Sequence, residues 1–169
     1  IARRFNARFA GNKPVFPEPA ALLSDAPLIL GLDGSQKMSK SRNNAVMLSA
    51  SEDETAKLIK RAKTDSERII TYDPEKRPEV SNLLLLASLC TGVRPDQIAD
   101  EIGDGGSGKL KAKLTEALNE YLAPLRAKRH ELEKDPAYVK SILRRGIERA
   151  RHVGRETLEE VRHVMNMDI

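Results

Sequence analysis

The amino-acid sequence predicts a mainly α fold, a helical bundle preceded by a short α/β segment. Three observations predict it. After Ala50, apolar residues recur three and four apart, the period of one helix face. Residues that start and stop helices bracket those runs. Residues 1–50 behave differently: Pro14, Pro17 and Pro19 are followed by two short apolar runs on either side of a polar, glycine-containing stretch.

At the start of the chain, Phe5 and Phe9 lie four apart, as at the end of a helix that Gly11 and then Pro14 close. Leu28-Ile29-Leu30, set between Pro27 and Gly31, reads as a buried strand, and Val46-Met47-Leu48 as a second. Ser51 with Glu54 three residues later makes a capping-box pattern that opens a helix through Ala56 and Ile59. Pro78 starts the next helix, whose Leu83, Leu86 and Leu89 read as core and whose left-handed end falls on Gly92. A short helix runs from Pro95 to just before Gly103. Between about residues 109 and 134, Leu110, Leu114, Leu118, Tyr121, Leu122 and Leu125 form an apolar stripe interrupted by Pro124. From Pro136 to about Met165, Val139, Ile142, Leu143, Ile147, Ala150, Val153, Leu158 and Val161 form another. The change of period at Ala50 divides the chain into residues 1–50 and 51–169.

Composition narrows the function classes. The 169 residues carry 29 Lys and Arg against 25 Asp and Glu, a formal net charge of +4, which suits a nucleic-acid partner without requiring one. Mean hydropathy is −0.48, and no apolar run approaches the ~20 residues of a membrane span, so a soluble chain with no membrane partner is expected. Cys90 stands alone and offers neither an internal disulfide nor a C-x-x-C metal pair, which favours the cytoplasm. The chain opens on Ile1, with no initiator Met and no signal peptide, and reads as the later part of a longer protein.

Several motifs invite chemistry and fail on context. Residues 103–109 fit the phosphate-loop spacing G-x-x-x-x-G-K, but Leu110 stands where magnesium needs a hydroxyl, and a helical pattern precedes the glycines instead of a strand. A connector is the expected role. His152 and His163 lie eleven residues apart, about 16 Å along a helix, too far to share a metal, and no protein-bound metal site is expected. The acidic pairs sit among Lys and Arg as solvated helix faces.

The stretch Asp33-Gly34-Ser35-Gln36-Lys37-Met38-Ser39-Lys40-Ser41-Arg42-Asn43-Asn44 is different. Two lysines three apart, interleaved with hydroxyls, can set two mobile ammonium groups and two donors around a polyphosphate. Lys37-Met38-Ser39-Lys40-Ser41 is also, letter for letter, the KMSKS signature of class I aminoacyl-tRNA synthetases. Ala2-Arg3-Arg4-Phe5-Asn6, Leu32-Asp33-Gly34, Thr64-Asp65-Ser66-Glu67 and the run from Arg77-Pro78-Glu79 through Leu84 narrow the match. Together they make the chain resemble the C-terminal half of the tryptophanyl-tRNA synthetases, from Ile1 to about Met167.

That resemblance implies a fold and a set of roles. Residues 1–50 would be the end of a Rossmann-like class I catalytic domain, and residues 51–169 a helical domain of the anticodon-binding type. ATP contact falls on Lys37, Met38, Ser39, Lys40 and Ser41, with Lys37 and Lys40 catalytic, and on Leu28 beside the adenine. Arg144, Arg145, Arg149, Arg151 and Arg155 are the basic residues placed to meet RNA phosphates; their other reading is a salt-bridged outer face. The resemblance implies ATP with Mg2+ as substrate and tRNA(Trp) as partner, with tryptophan bound through the upstream half. It further implies a homodimeric whole protein, a monomer for this chain, and no complete catalysis by this chain alone. Tyrosyl-tRNA synthetases share the signature, and a non-catalytic tRNA-binding module is the remaining alternative.

Overall fold

The computed structural model describes residues 1–24, 26–34 and 36–167, leaving Asp25, Ser35, Asp168 and Ile169 outside the description. The molecule is mainly helical, as predicted. Its helices are α1 (Ala2–Phe9), α2 (Glu52–Lys60), α3 (Pro78–Thr91), α4 (Pro95–Ile102), α5 (Gly106–Glu133) and α6 (Pro136–Val164), with single 3-10 turns at Lys40–Arg42 and Gly103–Gly105.

The helix boundaries follow from local chemistry. Ser51 accepts from the Glu54 amide at 3.2 Å while the Glu54 carboxylate accepts from the Ser51 amide at 2.8 Å, so both halves of the capping box form. That backbone hydrogen bond, helped by the Ser51 side chain, holds the Glu54 carboxyl below the usual carboxylate range. Prolines occupy the first turns of α3, α4 and α6, where a missing N–H costs nothing. Gly92 ends α3 at φ +74°, the left-handed region that glycine enters without a Cβ penalty.

Ser24–His130 forms one compact unit, and Ile1–Leu23 with Glu131–Ile169 forms another. In the first unit α3 is central. Val80, Ser81, Asn82, Leu83, Leu84, Leu86 and Ala87 are all buried, so most of this helix packs on several sides; Leu89, read as core from the sequence, is 45% exposed near its end. Ile59 of α2, Ile98 and Ile102 of α4, and Leu110 and Leu114 of α5 complete the core around it. Arg126 ties α5 to the start of α2, donating to the Ala50 carbonyl and the Thr55 hydroxyl, each at 2.9 Å.

In the second unit, Asn6 organises the turn after α1. Its side-chain oxygen accepts from the amides of Val15 at 3.2 Å and Phe16 at 3.1 Å, and its NH2 donates to the Phe16 carbonyl at 2.7 Å. Phe5 then stacks against Phe9 and Phe16 with ring centroids 5.1 and 5.0 Å apart. Asp135 caps α6 through the Tyr138 amide at 2.9 Å.

One expectation changes, and one apolar pattern goes unpacked. The apolar runs at 28–30 and 46–48 form no strand among the described residues; their pairing is reduced to a single antiparallel bridge between Leu30 and Lys37. The physical reason is that the other edge of Leu30 is taken by a side chain of α3, so no second strand can extend a sheet there. The stripe on α6 is also not a core: the helix buries none of its residues, and Leu143 stays 60% exposed.

Candidate nucleotide-binding loop

The signature residues sit on a hairpin. Residues 29–32 rise, the chain turns at Gly34, and residues 36–38 return. The Gly31 amide donates to the Gln36 carbonyl at 2.8 Å and the Met38 amide to the Ile29 carbonyl at 2.9 Å, flanking the Leu30–Lys37 bridge. Gly34, at φ +71°, closes the turn through its amide to the Gly31 carbonyl at 2.9 Å. Beyond Ser39 the chain folds into the 3-10 turn Lys40–Arg42, which Asn43 ends at φ +54°.

This backbone sorts the signature side chains. Met38 is half-buried and packs against the hydrophobic core, anchoring the loop. Lys37, Lys40, Ser41 and Arg42 are exposed. The Ser39 and Ser41 hydroxyls lie 2.9 Å apart, so they present two oxygens as one polar group. Asp33 is the sole carboxylate among residues 33–44, and it accepts from Asn44 at 3.2 and 3.3 Å. The loop therefore offers cations and hydroxyls, a donor set for phosphate oxygens and not for a metal.

Leu28 is 54% exposed at the rim of a shallow depression of about 130 Å3 that Leu30, Tyr72, Pro74, Pro78 and Leu85 also line. Its lining is mostly apolar, with Ser81 and Asn82 as its polar members.

Asn44, Gly31 and Asn82 hold the loop, and Arg77 braces the segment between α2 and α3; none of them was given a role from the sequence. Asn44, 5% exposed, accepts from the Ser39 amide at 2.8 Å and donates to Asp33. A Cβ on Gly31 would lie 2.1 Å from its amide nitrogen, so glycine is required there. Asn82, 6% exposed, accepts from the Leu30 amide and donates to the Leu30 carbonyl, each at 2.9 Å. Arg77, 6% exposed, fixes the segment between α2 and α3. It meets both oxygens of Asp65 at 2.7 Å, the Ile69 carbonyl at 2.6 Å and the Thr71 hydroxyl at 2.9 Å. Hydrogen bonds from Arg77 hold the Asp65 carboxyl below its ordinary range, and the same pairing raises the guanidinium. The only sequence signal for Arg77 and Asn82 was their place in a segment quoted for the family likeness, and for Asn44 its place at the end of the polar stretch 33–44.

Arg144, Arg145, Arg149, Arg151 and Arg155 all lie on α6 and are all exposed, away from the loop in sequence and in the other compact unit. None of the five is in an ion pair among the described residues. Helical spacing places Arg144, Arg151 and Arg155 on one stripe, and Arg145 and Arg149 on another flank. Of residues 103–109, only 103–105 form the connector expected of them, a 3-10 turn between α4 and α5, with the Arg68 guanidinium donating to the Asp104 carbonyl at 2.9 Å; residues 106–109 are already the first turn of α5.

Residues 1–123 match the family model described as tRNA synthetases class I (W and Y). The chain belongs to that family. Among curated relatives of this class I synthetase chain, the tryptophan–tRNA ligase of Nostoc sp. is 38% identical over 167 residues, covering 96% of this chain and 50% of the relative. That of Thermosynechococcus vestitus is 39% identical, with 96% and 51% covered. The synthetase chain thus spans about half the length of the curated relatives it matches. Its fold superposes on tryptophanyl-tRNA synthetase from Mycoplasma pneumoniae with a TM-score of 0.79 at 23% identity, covering 99% of this chain and 52% of that one. The enzyme from Campylobacter jejuni, complexed with ADP and tryptophane, gives 0.67 at 27% identity, covering 98% and 51%.

Proposed function

We propose that this chain supplies the signature-loop half of a tryptophan–tRNA ligase. In this reading, residues 1–50 close the nucleotide-binding domain and residues 51–169 form the helical domain that meets the anticodon stem-loop of tRNA(Trp). The single observation that carries it is the KMSKS loop itself: Lys37 on the hairpin and Lys40 on the 3-10 turn after it are exposed and in no ion pair among the described residues, and core-facing Met38 fixes the base of the hairpin. Tryptophan specificity over tyrosine is supported by the names and coverage of the bacterial relatives.

The chemistry follows from the donor set. The carboxylate of tryptophan attacks the α-phosphorus of ATP, forming the mixed anhydride tryptophanyl-adenylate while the bond to the β-phosphate breaks and pyrophosphate leaves. Charge then grows on the departing phosphates. Two ammonium groups on a short hairpin follow that charge and stabilise it more than they stabilise bound ATP. Ser39 and Ser41 donate to phosphate oxygens, Leu28 lies against the adenine, and Met38 keeps the hairpin at a fixed height. Mg2+ comes with ATP and screens its phosphates; the loop offers it no free carboxylate, because Asp33 is bound by Asn44. A terminal hydroxyl of tRNA then takes the aminoacyl group from the adenylate and releases AMP.

Orientation of the α-phosphorus needs a second set of groups facing the loop, and this proposal places them in the other half of the protein. The test is tryptophan-dependent ATP–pyrophosphate exchange. The full-length protein should support it, and residues 1–169 alone should give no rate above the enzyme-free blank. Exchange by the isolated chain, free of host enzyme, would refute the half-site assignment.

A further inference from the structure

The rising arm of the hairpin is held on its outer edge by α2 and α3 at three alternate positions. At Leu30, the buried amide of Asn82 makes both backbone hydrogen bonds that a neighbouring strand would make, each at 2.9 Å. At Leu32, the carbonyl accepts from the Lys63 amide just beyond α2 at 2.8 Å. At Gly34, the stem of Glu79 lies so close that a Cβ would fall 2.2 Å from its Cγ. Glu79 is itself pinned, its carboxylate 2.9 Å from the Lys63 ammonium. Asn82 and Glu79 are one helical step apart in the first turns of α3, so α3 touches the hairpin through one face.

From this geometry we infer that Asn82 and Glu79 are positioning residues for adenylate formation: they set the height of the hairpin, and through it of Lys37 and Lys40, against the phosphates. The inference rests on the proposal that the loop serves ATP. Leu30 is the bridge partner of Lys37, so the Asn82 amide is one residue pair away from the first signature lysine. Any shift of α3 relative to the hairpin is passed directly to the loop. Neither Asn82 nor Glu79 touches a reacting atom; both act through the backbone of residues 30–34.

The experiment is single-turnover tryptophanyl-adenylate formation by the full-length protein across a range of ATP concentrations, with amide hydrogen exchange on the same samples. Asn82→Ala should lower the saturating rate by about tenfold to a hundredfold, the scale expected when reacting groups are misplaced by about an ångström; because Asn82 also lines the depression beside Leu28, the accompanying apparent ATP affinity, changed less than about twofold, is read on Gly34→Ala. Exchange should quicken at Leu30 and Met38 while Leu86 and Ala87 of α3 keep their protection, which a general loss of folding would not produce. Gly34→Ala displaces the same arm from Glu79 with Asn82 intact, and should give the same fall in rate if Asn82→Ala does not fold. Lys40→Ala is the control. If Lys40→Ala slows the step and both Asn82→Ala and Gly34→Ala leave it normal, the positioning role is wrong and the ATP role stands. If Lys40→Ala leaves the rate normal, both are wrong.

Discussion

Arg77 shows how much a single side chain can hold without touching the candidate site. Its guanidinium is almost wholly buried and is satisfied by Asp65, Ile69 and Thr71, which keeps residues 65–77 folded against the start of α3. Asp65 titrates below its ordinary range because Arg77 donates to it. An aspartate depressed in the native state stabilises the fold fully above its unfolded value, near pH 4. That contribution is lost as pH falls through the lowered native value. Asp65→Asn should therefore destabilise the protein at neutral pH by about 2 kcal/mol, the scale of a hydrogen bond to a charged group. The gap to the wild type should close on acidification through and below about pH 4. Denaturant unfolding at a series of pH values checks it; a gap independent of pH would mean that the carboxylate charge is irrelevant. The pairing was not legible in the sequence, because Arg77 and Asp65 lie twelve residues apart across an irregular segment with no period to read. Asn82 was hidden for the same reason, with its partner Leu30 at a separation of 52 residues.

The elements were far more legible than the residues that join them. Caps and first-turn prolines act within one helical turn, so Ser51, Pro78, Pro95 and Pro136 marked their helices from sequence. The short apolar runs misled, because an apolar run states that a segment is covered and not by what: Leu30 is covered by Asn82 where a strand would have been needed. On α6 the stripe of apolar residues was read correctly as a pattern, yet burial depends on a partner that the pattern cannot name. The same helix carries the arginines, and its exposed surface makes a specific expectation for RNA. Each phosphate neutralised on a single strand contributes about −0.7 to the slope of log affinity against log salt. Replacing Arg144, Arg151 and Arg155 together by Ala should flatten the slope for tRNA(Trp) by about two units, if all three meet phosphates. The pair Arg145→Ala and Arg149→Ala lies on the other flank and separates the two faces. Filter binding at several salt concentrations reads both, and slopes unchanged in both variants would assign the arginines to other work.

At the scale of the whole molecule, the signature loop is a chemical tool mounted on a helical base. The motif was legible because five residues carry it in sequence order, and the mounting was not, since it depends on Asn82 and Glu79 meeting the hairpin from distant positions. Pyrophosphate departure creates charge that the bound substrate lacks, so the lysines should matter in the activated complex more than in binding. Losing one preorganised charge contact of this kind costs about 3 kcal/mol, or roughly a hundredfold in rate. The most direct measurement is the single-turnover rate of tryptophanyl-adenylate formation by the full-length protein with Lys40→Ala. It should fall by about that hundredfold while tryptophan affinity stays unchanged; a normal activation rate with weakened tRNA binding would contradict the ATP role of the loop.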